Sequence, residues 1–183
     1  MNKTQYLFYS GSISDNNSKH LMVLCSDAVS KGFTEIYIAI SSTGGSVPAG
    51  IALFNSLRAL PVTLTVHNIG VIDSTAITVF LAGKNRYASE ESRFLIHAAS
   101  IKTDKSSLNL LDLAELTKML HNDQDNMSQL ITKYTGIPPE TLKNWFFVAE
   151  IIIPSKAIEW RIISEMRAFN IPTDGSMITV PTQ

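Results

Sequence analysis

Blocks of apolar and polar residues alternate along the first hundred positions of the chain. Short apolar runs, each followed by a turn rich in glycine or serine, predict strands that are buried on both faces. Between them lie segments with apolar residues at helical spacing, which predict covering helices. The predicted strands are 6–9, 35–40, 62–66, 86–88 and 93–97, and the predicted helices are 19–30, 49–60 and 76–81. Strands that alternate with helices are typical of an α/β fold with a parallel sheet.

The pattern changes after the first hundred residues. Segment 112–134 predicts one long helix with a narrow apolar stripe, which suits a helix that projects and packs against a partner. The alternative is an ordinary covering helix on the same domain, which the pattern alone favours. The later predictions are a helix at 139–145, a strand at 151–153 and a helix at 156–163. We expect a loosely held polar tail at 172–183 and, because no repeat or linker divides the chain, one domain over 1–183.

Composition and charge narrow the classes of function. The 183 residues are 45% hydrophobic and carry a net charge of -1, so a sizeable core is expected and a basic stripe is missing. Nucleic acid and anionic membranes are therefore not expected partners. The one cysteine, Cys25, lies in an apolar run, so we expect neither a disulfide nor a cysteine metal site. No signal pattern or membrane-length apolar segment is evident, and we expect a cytoplasmic location.

Three candidate functional features fall at the ends of predicted strands. Gly44-Gly45 opens the turn after one strand, Ser74 lies between the next strand and a helix, and His97 ends a later strand. In a parallel sheet these ends share the edge where α/β proteins bind ligands. A glycine N–H and the Thr75 N–H could form an oxyanion hole, with Ser74 as nucleophile and His97 as base. Each feature also has a purely structural interpretation: Ser74 as a helix cap, Gly44-Gly45 as an ordinary turn and His97 as a histidine at the end of a strand.

Several segments of the chain resemble the proteolytic subunit of Clp protease. Segment 40–52, ISSTGGSVPAGIA, resembles its glycine-rich segment, and segment 69–76, IGVIDSTA, resembles its nucleophile turn. Segment 92–97, SRFLIH, resembles its histidine segment, and segment 134–136, YTG, resembles the end of its long handle helix. The resemblance runs from about Tyr6 to Ile163. It implies an α/β fold of the ClpP/crotonase type, with stacked βαβ units and a projecting handle helix in the region 104–134.

The resemblance also implies an activity, that of a serine endopeptidase acting on peptides or unfolded proteins without a cofactor or metal. Ser74 would attack the peptide carbonyl, His97 would take its proton, and the N–H groups of Gly45 and Thr75 would hold the oxyanion. Two stacked seven-membered rings of identical subunits are implied, joined through handle helices. An AAA+ unfoldase is a candidate partner, but the chain begins at about the family's first strand, so the pore-lining segment used for docking is expected to be missing.

Departures from the family pattern open alternative functions. Counting without gaps from Tyr134 puts Ala149 where the family has its third triad residue, an aspartate. Glu150 is the neighbouring candidate, although adjacent strand residues face opposite sides. Asp73, directly before Ser74, stands where the family has a small apolar residue. The alternative is therefore a catalytically impaired paralogue that acts as a structural ring or partner subunit. A crotonase-type acyl-CoA enzyme ranks third, because the Ser74 turn has no glutamate for proton transfer.

Overall fold

The computed structural model describes residues 3–101, 103, 106–173 and 175–182. In chain order the elements are β1 (Thr4–Ser10), α1 (Asp15–Ser30), β2 (Glu35–Ser42), α2 (Val47–Arg58), β3 (Thr63–Asp73), α3 (Ala76–Phe80), β4 (Asn85–Ala88), β5 (Arg93–Ile96), α4 (Leu110–Thr135), α5 (Pro139–Val148), β6 (Glu150–Ile152), α6 (Pro154–Glu159), β7 (Glu165–Met166) and β8 (Met177–Thr179). Strand and helix alternate as far as β4, which confirms the predicted α/β class.

These strands form one sheet in which β6, β5, β3, β2, β1 and β8 are successive neighbours, with β4 paired to β3 and β7 paired to β4 beside that path. The pairs are parallel except for β5 with β6, which is antiparallel. Parallel strands connected through helices have both faces covered. This explains why β2 is buried along most of its length.

The third strand is much longer than the predicted 62–66, because it changes partner along its length. Its first part pairs with β4 and its last part, Val71 to Asp73, pairs with β5. Asn68 lies at the change, where its side-chain amide donates to the Arg93 carbonyl at 2.9 Å and accepts from the Gly70 N–H at 3.0 Å. A side chain thus satisfies backbone groups where the ladder is interrupted. The strand consequently reaches as far as the residue before Ser74.

The prediction of a loosely held tail over 172–183 is wrong for residues 177–182, which are bonded to the first strand. Strand β8 adds to the edge of β1, and Val180 is buried. The Val180 N–H donates to the Phe8 carbonyl at 2.8 Å, and the Thr182 hydroxyl donates to the Ser10 carbonyl at 2.6 Å. The exposed edge of β1 offers unpaired backbone groups that even a polar segment can use. Residues 174 and 183 lie outside the described residues.

The long helix α4 is packed at one end and exposed at the other. Met127, Ile131 and Thr135 are buried near its C-terminal end. Leu110 and Leu111 at its beginning are 85% and 81% exposed. The helix therefore projects from the rest of the chain, as predicted. The first predicted handle positions, 104 and 105, lie outside the described residues.

Candidate active site

Ser74 occupies a sharp turn between β3 and α3. Its φ of 54° lies in the left-handed region, which costs free energy for a residue with a Cβ atom. The turn is held at both ends: the Ser74 N–H donates to the Leu95 carbonyl at 2.8 Å, and the Ser74 carbonyl accepts from the Ile77 N–H at 3.0 Å. Sharp strand-to-helix turns of this kind present a serine hydroxyl at the end of a sheet. Ser74 is half-buried there.

The glycine turn packs directly against the Ser74 turn. Gly44 has a φ of 87°, and a Cβ atom built on it would lie 2.7 Å from the Asp73 carbonyl oxygen and 2.9 Å from the Ser74 Cβ. Only glycine fits such an approach. Backbone hydrogen bonds with Ile13 fix this turn, one to the Gly44 carbonyl and one from the Ser46 N–H, both at 2.8 Å.

Two backbone donors lie close together where the turns meet. The Thr75 hydroxyl donates to the Gly45 carbonyl at 3.3 Å, which joins the two segments. Among the residues that the structure describes, neither the Gly45 N–H nor the Thr75 N–H donates a hydrogen bond to a protein acceptor. Unengaged N–H groups that are held in place can stabilise a negatively charged oxygen. The structure thus brings together Gly45, Ser74 and Thr75.

His97 follows the last residue of β5, on the strand next to β3. Its Nδ1 lies 2.9 Å from the carbonyl oxygen of Ala98. Because a carbonyl oxygen only accepts, this contact assigns the proton to Nδ1 and leaves a lone pair on Nε2. Ala98 is itself held by its N–H, which donates to the Phe146 carbonyl at 3.0 Å. In the described part of the chain no hydrogen bond joins His97 to Ser74.

Ala149 lies on the other side of His97. Strands β5 and β6 are antiparallel and their last pair is Ile96 with Glu150, so His97 and Ala149 are the residues next to that pair. A methyl group cannot orient an imidazole. The Glu150 carboxylate accepts from the Lys156 ammonium at 2.8 Å. This geometry gives Glu150 a partner other than His97.

Asp73, whose side chain is buried, forms an ion pair with the partly exposed Arg93 beside the Ser74 turn. Its two carboxylate oxygens accept from the two terminal nitrogens of Arg93, each at 3.0 Å. Burial raises the pKa of Asp73, and the charges of Arg93 and His97 oppose that rise. Asp73 was singled out from the sequence, but Arg93 was missed. Its position on the strand that ends at His97 was the signal that could have identified it.

An open cavity of about 470 Å³ lies beside the histidine, between α4 and α5. Its lining contains charged, amide and aromatic side chains, contributed by Gln124, Glu140, Lys143, Asn144, Phe146 and Phe147, together with Ala98. Ala98 is the residue whose carbonyl accepts from His97. The cavity is therefore adjacent to the candidate base.

A second contact between a histidine and a serine lies elsewhere in the sheet. His67 is fully buried; its Nδ1 lies 2.7 Å from the Tyr37 hydroxyl and its Nε2 lies 3.3 Å from the Ser89 hydroxyl. Burial, with a smaller contribution from the Arg167 charge, lowers the pKa of His67 to about 4. The sequence pattern gave His67 no functional role.

Neither a membrane-spanning helix nor a metal cluster is found among the residues that the structure describes. None of the helices there combines the length and the apolar character needed to cross a membrane. Within the same residues, no group of three or more histidine, cysteine, aspartate or glutamate side chains is arranged to hold a metal ion.

Comparisons with known proteins give consistent results. The family model for Clp protease matches residues 1–167. The ATP-dependent Clp protease proteolytic subunit 2 of Treponema pallidum is 27% identical over 175 residues, which cover 90% of this chain and 82% of that protein. Subunit 2 of Pseudomonas aeruginosa is 23% identical over 179 residues, covering 93% and 86%. The structure of a ClpP1 point mutant from Listeria monocytogenes superposes with a TM-score of 0.78 at 22% identity and 91% coverage of both chains, which supports the fold. The chain belongs to the Clp protease family.

Proposed function

We propose that the protein is a serine peptidase in which Ser74 is the nucleophile and His97 is the general base. The observation that carries the proposal is the Ser74 turn itself, with the unengaged N–H groups of Gly45 and Thr75 beside it. A serine that served only as a helix cap would not need a left-handed backbone or two free donors nearby. Membership of a protease family supports the same assignment.

The reaction follows from the placement of these groups. Ser74 Oγ attacks the peptide carbonyl while its proton passes to His97 Nε2. The N–H groups of Gly45 and Thr75 hold the oxyanion of the tetrahedral intermediate. The imidazolium then gives its proton to the leaving amine, and an acyl-serine remains. Water attacks that ester with His97 again as base, which releases the acid and restores the serine.

The reaction requires His97 to approach Ser74 more closely than in the present arrangement. Catalytic hydrogen bonds are often long or poorly aligned when the substrate is absent and become shorter in the complex. The contact between His97 Nδ1 and the Ala98 carbonyl supports the tautomer that the base needs. Peptides or unfolded segments are the proposed substrates, and the cavity beside Ala98 would receive a substrate side chain.

A matched labelling experiment tests the nucleophile. The chain, Ser74→Ala and Ser89→Ala are each treated with a fluorophosphonate, and their intact masses are measured. We expect one adduct on the unmodified chain and on Ser89→Ala, and none on Ser74→Ala. Ser89 is the matched control because it is the serine in contact with the buried histidine, His67. The absence of an adduct on all three folded proteins would favour the impaired structural paralogue.

The exposed beginning of α4 supports a further part of the proposal, self-assembly. Leu110, Leu111 and Leu113 are exposed there, and such apolar residues are usually covered by a partner. We place this surface against a second copy of the chain, in the stacked rings that the family resemblance implies. Whether an AAA+ unfoldase docks and whether the location is cytoplasmic stay predictions.

Sedimentation velocity tests the assembly. Replacing the three leucines by serine is expected to give smaller particles. Val23→Ser removes an apolar side chain that is 60% exposed on α1 and serves as the control. Equal particle sizes for all three proteins would remove α4 from the interface.

A further inference from the structure

We propose that Asp73 is the positioning residue of His97 and compensates the charge that the imidazole acquires during the reaction. The inference rests on the proposed function of Ser74 and His97. It assigns the acidic role to the strand that carries the nucleophile, on the side of His97 away from Ala149.

The sheet register places Asp73 beside the histidine. In the parallel pair of β3 and β5, Asp73 lies opposite Leu95. Arg93 and His97 are two residues before and two residues after Leu95, so all three share one face of β5. The bidentate contact with Arg93 establishes that the Asp73 carboxylate lies on this face. Asp73 is therefore diagonal to His97, with Arg93 on the opposite diagonal.

The other acidic groups near the histidine are exposed or bound to another partner. Glu140, which lines the open cavity together with Lys143, is exposed. Ala149, the residue before β6, has no charge. Glu150 lies opposite Ile96, whose side chain points to the other face, and is bound to Lys156. Among the described residues, Asp73 is the one carboxylate that is buried. His97 acts on Asp73 through its charge, which lowers the pKa of that carboxyl against the larger effect of burial.

Stability alone gives a poor reason for this pair. The Asp73 side chain is buried but that of Arg93 is 38% exposed, and the free energy gained from a partly exposed ion pair is small against the cost of desolvating the carboxylate. A negative charge beside a base that becomes an imidazolium has a direct benefit, since it favours the charged form. Arg93 would hold the carboxylate in one position, so that its charge is available without rotation of the Asp73 side chain.

The orienting task is thus divided between two groups. The Ala98 carbonyl fixes the tautomer by accepting from Nδ1. Asp73 provides the negative charge, which acts on the imidazole electrostatically and without a hydrogen bond to the ring. Because Arg93 partly neutralises that charge, its effect is smaller than the roughly ten-thousandfold contribution of a directly bonded triad aspartate.

The first test is Asp73→Asn, which keeps the shape and removes the charge. We expect kcat for a fluorogenic peptide to fall by about ten- to hundredfold, as for a charge interaction at intermediate distance, with little change in KM. The acidic limb of the pH profile of kcat/KM should move to lower pH, because the charge that favours a protonated base is gone. An unchanged kcat and pH profile in the folded variant would overturn the inference.

Ala149→Asp supplies a second test that does not disturb the pair of Asp73 and Arg93. Ala149 is exposed and has a φ of 59°, a conformation that aspartate tolerates. If Asp73 already compensates His97, the new carboxylate should raise kcat of the otherwise unmodified chain by less than about tenfold, and in Asp73→Asn it should restore most of the lost rate. A gain of about a thousandfold or more in the unmodified chain would show that His97 was uncompensated and would overturn the inference.

The two proposals fail in distinguishable ways. If the unmodified chain shows no hydrolysis and no fluorophosphonate adduct, and Ala149→Asp restores neither, the proposed function fails and the role of Asp73 with it. If the unmodified chain is labelled at Ser74 and hydrolyses peptide, while Asp73→Asn does so equally well, only the role of Asp73 is rejected.

Discussion

The chain contains two regions in which a serine and a histidine come near each other, and they are built differently. Ser89 and His67 are in hydrogen-bond contact at 3.3 Å, and the other nitrogen of that histidine is occupied by the Tyr37 hydroxyl. Ser74 and His97 lie at the ends of adjacent strands and share no hydrogen bond in the described structure. By distance alone, the first pair would be the better candidate for a nucleophile and its base.

The surrounding backbone reverses that ranking. Ser74 has a left-handed φ of 54°, which Ser89 does not share, and among the described residues the nearby Gly45 and Thr75 N–H groups are unengaged. Burial favours the neutral form of His67, and both of its ring nitrogens are in hydrogen-bond contact with hydroxyl groups. These are properties of a structural residue in the core. Stabilisation of the oxyanion is usually the largest single contribution to acyl transfer. The comparison therefore favours Ser74, with its strained turn and available backbone donors, over Ser89, with its one short contact, as the candidate nucleophile.

The largest expected effect separates the two serines by their hydrolysis rates. Ser74→Ala should lower kcat by at least about ten-thousandfold, because loss of the nucleophile removes most of the triad contribution. Ser89→Ala should leave the rate near that of the unmodified chain. Initial rates on a fluorogenic peptide check both. A Ser89→Ala variant that loses activity while remaining folded would reverse the comparison.

A pair of glycine substitutions tests the backbone of the Ser74 region. Gly44→Ala should destabilise the chain by about 2–4 kcal/mol and abolish labelling of Ser74, because the new Cβ would collide with the Asp73 carbonyl and the Ser74 Cβ. Gly32 has a comparable φ of 76°, but a Cβ atom added there would meet no other atom within 4 Å. Gly32→Ala should cost only on the order of 1 kcal/mol and leave labelling intact. Urea unfolding and intact mass distinguish these results.

The buried histidine predicts a pH dependence of stability. In the folded chain the pKa of His67 is about 4, against an unfolded value near 6.5. Because the folded pKa is depressed, its stabilising contribution is present above pH 6.5 and is lost as the pH falls towards 4. Between pH 7 and pH 5 the free energy of unfolding should fall by about 2 kcal/mol from this group.

Urea unfolding of the unmodified chain and of His67→Gln at both pH values measures that contribution. The variant should lack this part of the pH dependence, while exposed His121→Gln should keep it. An equal pH dependence in all three proteins would contradict a neutral, buried His67.

The smallest expected effect concerns the predicted third triad member. Glu150→Gln should change kcat little, because its carboxylate is bound to Lys156 and faces away from His97. The ion pair is partly exposed, so its loss should cost less than about 1 kcal/mol. Peptide hydrolysis measures the change in kcat and thermal unfolding measures the change in stability. Lys156→Met, which removes the other member of the ion pair, is the matched control. A fall in kcat of a hundredfold or more in Glu150→Gln alone would return Glu150 to the triad.

Local chemistry made much of the candidate site predictable. Glycine pairs after apolar runs and a serine before a small-residue helix are signals that reside within a few neighbouring positions. The N–H groups of Gly45 and Thr75 were also expected from the sequence and the family resemblance, but the close packing of the two turns that carry them was not, because it depends on the tertiary structure. Arg93 was missed for a similar reason, since its contact with Asp73 joins two strands that are twenty residues apart in sequence.

The amino-acid sequence by itself determined the α/β class, the order of the elements as far as β5, the presence of a long helix and the resemblance to the Clp protease family. These properties follow from periodicity and motif spacing, which act over short stretches of chain. Only the tertiary structure decided that β3 extends to Asp73, that the polar tail pairs with β1, and that Ala149 and Asp73 lie on opposite sides of His97. Each of these depends on the register between strands that are distant in sequence, and register is set by the burial of a whole face of the sheet.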